Sequence, residues 1–253
     1  MKQYTGVIPV LIFTNLIFAG VTFLLPEMEQ QMFHWFALYF PENDRFRYWQ
    51  VATNMFMHGG FAHILFNMYA LWAFGTPLEQ LWGKGKFLFF YLVSGIGASI
   101  IYTLVNVFRF NNLYDEIVSK GVPDGEIRQL LQTGEYNTQL FGVVSQETIE
   151  QLYELFAIPA VGASGAIYGI LVAFAILFPN AKLMLIFLPF PIAAKYFIPI
   201  LLALDLFSGV TGFSVFGGGI AHFAHIGGAI IGFILMWYWK RRYEKRVVDR
   251  ETF

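Results

Sequence analysis

The stretch Ala157–Leu177, AIPAVGASGAIYGILVAFAIL, decides how the rest of the chain is read. It is long and apolar enough to cross a bilayer, whose hydrocarbon core takes about 17 to 25 helical residues. Yet it holds a serine, Ser164, among the small residues Gly162, Ala163 and Gly165. A hydroxyl in a membrane helix ordinarily bonds back to its own backbone or sits where a neighbouring helix comes close. The remaining sequence has to decide between that packing role and chemistry.

The composition places the chain in a membrane. Of its 253 residues 57% are hydrophobic and only 13% charged, too apolar for an ordinary soluble domain. The 29 Phe, 13 Tyr and 6 Trp suit lipid-facing surfaces and the two interfacial belts. A net charge of −1 argues against a nucleic-acid partner. With no cysteine there is no disulfide framework, no thiolate nucleophile and no cysteine metal site.

Six segments read as spans: Val7–Leu25, Phe61–Phe74 with its flanks, Phe87–Val107, Ala157–Phe178, Phe197–Phe207 with its apolar lead-in, and Gly219–Trp239. The fold class expected is therefore an all-α, polytopic six-helix bundle. The first segment has no small-x-small cleavage pattern before Pro26, so it reads as a retained span rather than a signal peptide. Pro189, Pro191 and Pro199 blur the start of the fifth. With the N-terminus inside, eleven Lys and Arg fall on inner segments against five outside (Arg45, Arg47, Arg109, Lys120 and Arg128), which puts both termini in the cytoplasm. A bacterial inner membrane is the expected location. One domain covers residues 1–253, with a core at about 7–239, an outer insertion at about 109–155 and a basic tail at 240–253. A first outer segment, Pro26 to Met57, mixes aromatics with charges and reads as interfacial. The insertion carries two weak helical patterns separated by Pro123 and Gly134.

Polar residues at membrane depth need a reason, since a charge at mid-helix costs about 2.5–3.5 kcal/mol on insertion scales. The candidates are His58, His63, Asn67, Glu79, Ser164, Tyr168, Asp205, His222 and His225. His63 and Asn67 are four apart, so they share one helix face and direct two donors at one point, or else merely bond neighbouring helices. Zinc is disfavoured: no H-E-x-x-H helix is present and no carboxylate adjoins the pairs His58/His63 or His222/His225 in the sequence. No metal and no cofactor is expected.

The last span reads GGGIAHFAHIGGAIIGFILMWYW, in which His225, Gly228 and Gly232 recur on one face. A helix with Gly165 and Gly169 is the matching surface, and it would bring the imidazole of His225 to Ser164. A serine becomes a nucleophile when a base takes its proton, and histidine is the usual base. Tyr168, one turn after Ser164, would stack on the imidazole and orient it without an aspartate. Nothing in the sequence ties Asp205 to His225, so a Ser-His dyad is expected rather than a triad. His63, Asn67 and the backbone N–H of Ser164 would stabilise the oxyanion.

These residues resemble the rhomboid family of intramembrane serine proteases. The match lies in GASGAIYG around Ser164, AHIGGAIIG around His225, HGGFAHILFN from His58 to Asn67, and GTPLEQLWG, where Gly75, Glu79 and Gly83 are similar to the family's G-x-x-x-E-x-x-x-G. It runs in order from about Trp49 to Ile234. The resemblance implies an endopeptidase that cuts a transmembrane segment of a membrane-protein substrate, with Ser164 as nucleophile, His225 as base then acid, and an oxyanion hole of His63, Asn67 and the Ser164 amide. It further implies that Gly162 shapes the loop, that Tyr168 stacks on His225, and that the fifth span with the outer loop SGVTGFSVFGGGIAH forms a lateral gate. The chain departs from the family at Trp49-Gln50, where members often have Trp-Arg, and in the long 109–155 insertion. A catalytically inactive rhomboid-like protein that binds transmembrane clients is the rival, but such proteins typically lack the serine or the histidine. A transporter would need more paired charge than Asp205 supplies. Partners are the substrate and the lipid bilayer, with the oligomeric state open.

Overall fold

The computed structural model describes residues 6–136, 142–185, 188–213 and 220–251. Its helices are α1 (Val7–Leu24), α2 (Pro26–Phe36), α3 (Gln50–Thr53), α4 (Phe61–Trp82), α5 (Lys84–Ser119), α6 (Asp124–Thr133), α7 (Gln146–Ala157), α8 (Ser164–Leu177), α9 (Ala194–Thr211) and α10 (His222–Glu251). A 3-10 turn, Asn54–Phe56, follows α3. Among the described residues four helices, α1, α5, α9 and the His222–Lys240 part of α10, are long and apolar enough to cross a membrane. The protein is thus a polytopic helical membrane protein.

The centre belongs to α8, which packs against α10, α5, α4 and α9. It is apolar on every side and buries an almost unbroken run from Gly165 to Phe174, as a helix without a polar face must. Inside lipid no hydrophobic difference drives helices together, so small residues that permit close backbone contact carry the packing. A Cβ built on Gly228 of α10 would stand 1.8 Å from the Gly165 carbonyl oxygen, and one on Gly232 would stand 2.6 Å from Gly169 Cα. On its other side Gly165 faces Ala98 of α5, where a Cβ would lie 2.6 Å from the alanine methyl.

Several boundaries differ from those read along the chain. The span expected over Ala157–Phe178 is split: α7 ends at Ala157 and α8 begins only at Ser164. Pro159 explains this, because it lacks an amide hydrogen and steers Ile158 out of the helical region. The intervening backbone is extended, and Ala160 exchanges hydrogen bonds with Leu38 at 2.8 and 2.9 Å. The third span, expected to end at Val107, runs on to Ser119, a helix of 36 residues and about 54 Å. No glycine or proline interrupts residues 98–120, so nothing stops it at the bilayer edge.

That extension builds the insertion. Phe110 and Ile117 of α5 join Phe40, Val122, Ile127, Leu130, Ile149 and Leu152 in a second apolar cluster, separate from the one around α8. Gly134 ends α6 in the left-handed region, and the Ser145 hydroxyl caps α7 by accepting from the Thr148 amide at 3.1 Å. At the start of α6 the Tyr114 hydroxyl and the Arg128 guanidinium donate to Asp124 and hold its carboxyl below the usual range. Residues 137–141 of the insertion lie outside the described residues.

The apolar lead-in to the fifth span is not helical. It forms an antiparallel pair of strands, β1 (Lys182–Leu185) and β2 (Leu188–Ala193), in register with Lys182 opposite Ala193 and Leu183 opposite Ile192. Pro189 and Pro191 fit a two-stranded edge, where missing donors cost little. The last helix continues to Glu251, so the basic tail begins as an extension of α10.

Glu79, buried near the C-terminal end of α4, reaches across to the start of α1. Its Oε1 and Oε2 accept from the Val7 and Ile8 amides at 2.5 and 3.3 Å. Gly6, the N-cap of α1, has no side chain to do this, so a neighbouring helix supplies the cap and neutralises the positive helix end. Glu79→Ala is expected to cost about 2 kcal/mol. Unfolding in detergent measures this, while turnover per folded molecule stays near wild type. At the same end Trp239 of α10 packs on Trp82, and Lys86 Nζ lies 4.0 Å over its ring. The beginning of α1 and the Trp239 region of α10 therefore share one face of the bundle.

Candidate active site

At the opposite end of α4 lies a polar cluster at the head of α8. Ser164 is the first residue of α8, half-buried where α10 crosses closest. His225 is in the first turn of α10, and its Nε2 is 2.9 Å from Ser164 Oγ. The glycine contacts make this approach possible, since Gly165 directly follows the serine and Gly228 follows the histidine by three. Tyr168 lies one turn along α8, with its ring stacked on the imidazole at 4.1 Å between centroids and 11° between planes.

Asp205 corrects one expectation. No link to His225 was legible in the sequence, yet Asp205 Oδ1 on α9 is 3.1 Å from His225 Nδ1 and 2.6 Å from His222 Nδ1. The Tyr168 hydroxyl donates to Oδ2. The Asp205 side chain is 1% exposed, and burying it would be costly without these three hydrogen-bonding partners. The side chains thus form a continuous row, Ser164–His225–Asp205. A carboxyl in the middle of an apolar span was the available signal, because such a group demands a partner. Its distance of twenty residues from His225 hid which one.

His63 borders the loop that leads into α8. Gly162 has φ +128°, a region that side chains rarely adopt, and a Cβ there would meet His63 Nε2 at 2.8 Å and Ser164 Oγ at 3.5 Å. One turn below His63, the buried Asn67 amide has no hydrogen-bond partner for its Nδ2 among the described residues. The first-turn amides of α8, that of Ser164 included, have no partner within the helix. His58 is buried beside His63, with ring centroids 5.1 Å apart.

The loop before Ser164 is held from Asn54, a residue that the sequence did not single out. Asn54 accepts from the Gly162 amide through its backbone carbonyl at 2.9 Å, and its side-chain amide donates to Ser99 Oγ at 3.0 Å. Gln50, fully buried, donates to the carbonyls of His34 and Arg45, both at 2.9 Å, and accepts from the Arg47 amide at 3.0 Å. It organises the loop between α2 and α3. Residues 214–219 of the segment read as a gate lie outside the described residues.

A carboxylate does adjoin one histidine pair in space, contrary to the reading along the chain. One ligand atom each from Asp205, His222 and His225 lies within 4.8 Å of the others, so these residues could hold a metal ion. Both Nδ1 atoms, however, already face the same carboxylate oxygen at hydrogen-bond distance. An ion would have to displace these contacts.

The comparisons with known proteins meet this arrangement from outside. A family model described as a rhomboid domain matches residues 45–110 and 133–242, two stretches that contain all of these site residues. The chain is 27% identical over 196 residues to Rhomboid protein 1, mitochondrial, of Saccharomyces cerevisiae, covering 78% of this chain and 43% of that protein. It is 26% identical over 201 residues to rhomboid protease AarA of Providencia stuartii, covering 74% and 54%, and 45% identical over 53 residues to rhomboid protease GluP of Bacillus subtilis, covering 21% and 10%. Each match thus spans less than two thirds of the relative. With the family model covering more than half of its length, this chain belongs to the rhomboid family.

Proposed function

We propose that the protein is an intramembrane serine endopeptidase that cleaves a transmembrane segment of a membrane-protein substrate. The observation that carries this reading is the 2.9 Å contact between Ser164 Oγ and His225 Nε2 at a glycine-lined helix crossing. Two of the relatives bear the name rhomboid protease, which favours the same chemistry. Ser164 Oγ attacks the scissile carbonyl carbon as its proton passes to His225 Nε2, and the carbonyl oxygen becomes an oxyanion. When the intermediate collapses, His225 returns that proton to the leaving nitrogen. Water then attacks the acyl-serine by the same route and releases the second fragment. The Ser164 amide, His63 and the unpartnered Asn67 amide are the donors for the oxyanion.

The bundle supplies the setting. We read α1, α4, α5, α8, α9 and α10 as six spans of one domain. Because α8 is 14 residues long, it covers about 21 Å of a hydrocarbon core of about 30 Å. Its head, and with it Ser164, therefore sits below the outer surface, within reach of water from that side. The Lys and Arg distribution makes the face shared by the start of α1 and Trp239 the cytoplasmic one. A helical substrate hides its carbonyls in hydrogen bonds, so segments with small or helix-weakening residues are the ones that unwind into the site.

The direct test is cleavage of a transmembrane reporter by the purified protein in detergent, together with labelling by a fluorophosphonate. A wild type that neither cuts nor labels, where a known rhomboid does both, would end this reading. For the oxyanion donors, Asn67→Ala is expected to lower turnover by about 10²–10³-fold with little change in unfolding temperature. A large stability loss with unchanged turnover per folded molecule would return Asn67 to a packing role.

A further inference from the structure

The base is not held by Tyr168 alone. A carboxylate only accepts hydrogen bonds, so with Asp205 ionised each histidine Nδ1 facing Oδ1 carries a proton. That leaves His225 Nε2 without a proton, directed at Ser164 Oγ, which is the tautomer a general base needs. If Asp205 were neutral, its one proton could serve only one of the two Nδ1 atoms that share Oδ1, while Tyr168 already donates to Oδ2. The surrounding geometry therefore favours the charged carboxylate with neutral imidazoles.

We propose that Asp205 is a positioning residue for this active site, fixing the tautomer and ring orientation of His225, with Tyr168 and His222 fixing Asp205 in turn. The proposal rests on the serine-protease reading above. Three helices meet in it: α8 brings Ser164 and Tyr168, α10 brings both histidines, and α9 brings the carboxylate. The seating of α9 against α8 and α10 is thereby tied to the readiness of the base.

Asp205→Asn tests it, because an amide keeps the shape but can donate to Nδ1 and so stabilise the opposite tautomer. The expected result is a fall in kcat on the order of 10³-fold, toward the 10⁴-fold known for a buried triad aspartate, with KM nearly unchanged. Asp205→Glu is expected to recover part of the loss. In ¹⁵N-histidine NMR of the wild type, with His222→Gln used to assign signals, His225 is expected as the Nδ1–H tautomer, and in Asp205→Asn that signal is expected to move. An Nε2–H tautomer in the wild type overturns the proposal whether or not the variant folds. So does an Asp205→Asn protein with wild-type kcat, or one whose loss is matched by loss of folded protein while the tautomer is unaltered. A wild type with the Nδ1–H tautomer but no cleavage or labelling would instead sink the protease reading, since the tautomer is read without turnover.

Discussion

Ser164→Ala and His225→Ala are each expected to reduce cleavage of a transmembrane reporter by about 10⁵-fold or more, to background. The two losses should be alike because, in the proposed mechanism, nucleophile and base act as a unit, so that removing either leaves the other with no step to perform. Stability should separate them. Ser164 Oγ is half-buried and bonds His225 Nε2, so its removal costs about 1 kcal/mol or less. His225 also stacks on Tyr168, and its Nδ1 lies at hydrogen-bond distance from the buried Asp205, so removing it leaves that carboxyl short of a partner. We therefore expect His225→Ala to be less stable than Ser164→Ala by about 1–3 kcal/mol. Reporter cleavage, fluorophosphonate labelling and thermal unfolding on the same preparations check all of this. Substantial cleavage by Ser164→Ala would mean that another group is the nucleophile.

Gly228→Val is expected to abolish activity through the backbone rather than through chemistry. A Cβ at this position would lie 1.8 Å from the Gly165 carbonyl oxygen and 2.7 Å from its carbon, and neither belongs to a side chain that can rotate away. The only relief is to separate α10 from α8, and Ser164 is the residue next to Gly165. Overpacking usually costs about 1–3 kcal/mol, and with backbone as the obstacle the cost here should be at least about 3 kcal/mol. The variant is expected to unfold at a markedly lower temperature and to lose turnover even per folded molecule. Gly228→Ala should be intermediate in both. Gly20→Ala is a matched control, because a Cβ there meets nothing within 4 Å and the helix gains from alanine. A Gly228→Val protein with normal stability and turnover would show that the crossing is looser than described.

Much of this architecture could be read from the chain because membrane insertion imposes a crude, local rule: long apolar runs become helices. That rule located α1, α5, α9 and α10, and the recurrence of Gly228 and Gly232 after His225 indicated a close helix face. It failed where a local breaker or the lack of one set the boundary. Pro159 kept the run from Ala157 out of a helix until α8 begins at Ser164, and the absence of any breaker let α5 run on into the insertion. The strand pair β1–β2 was hidden because Lys182–Ala193 has neither clean alternation nor a turn signature.

What the sequence by itself determined is the membrane character, the approximate helices, and the short list of polar residues too costly to bury without a reason. Ser164, Tyr168 and His225 came from that list together with the spacing of small residues. Only the tertiary structure decided which polar group meets which. Asp205 is twenty residues from His225 and on another helix, so their 3.1 Å contact depends on how α9 is rotated against α8 and α10. Helical periodicity specifies which residues share a face, but the facing partner and the register between helices follow from side-chain volumes summed over the whole bundle. The link from Asn54 to Gly162, which holds the loop before the serine, is of the same kind: a contact between distant residues that only the packed fold creates.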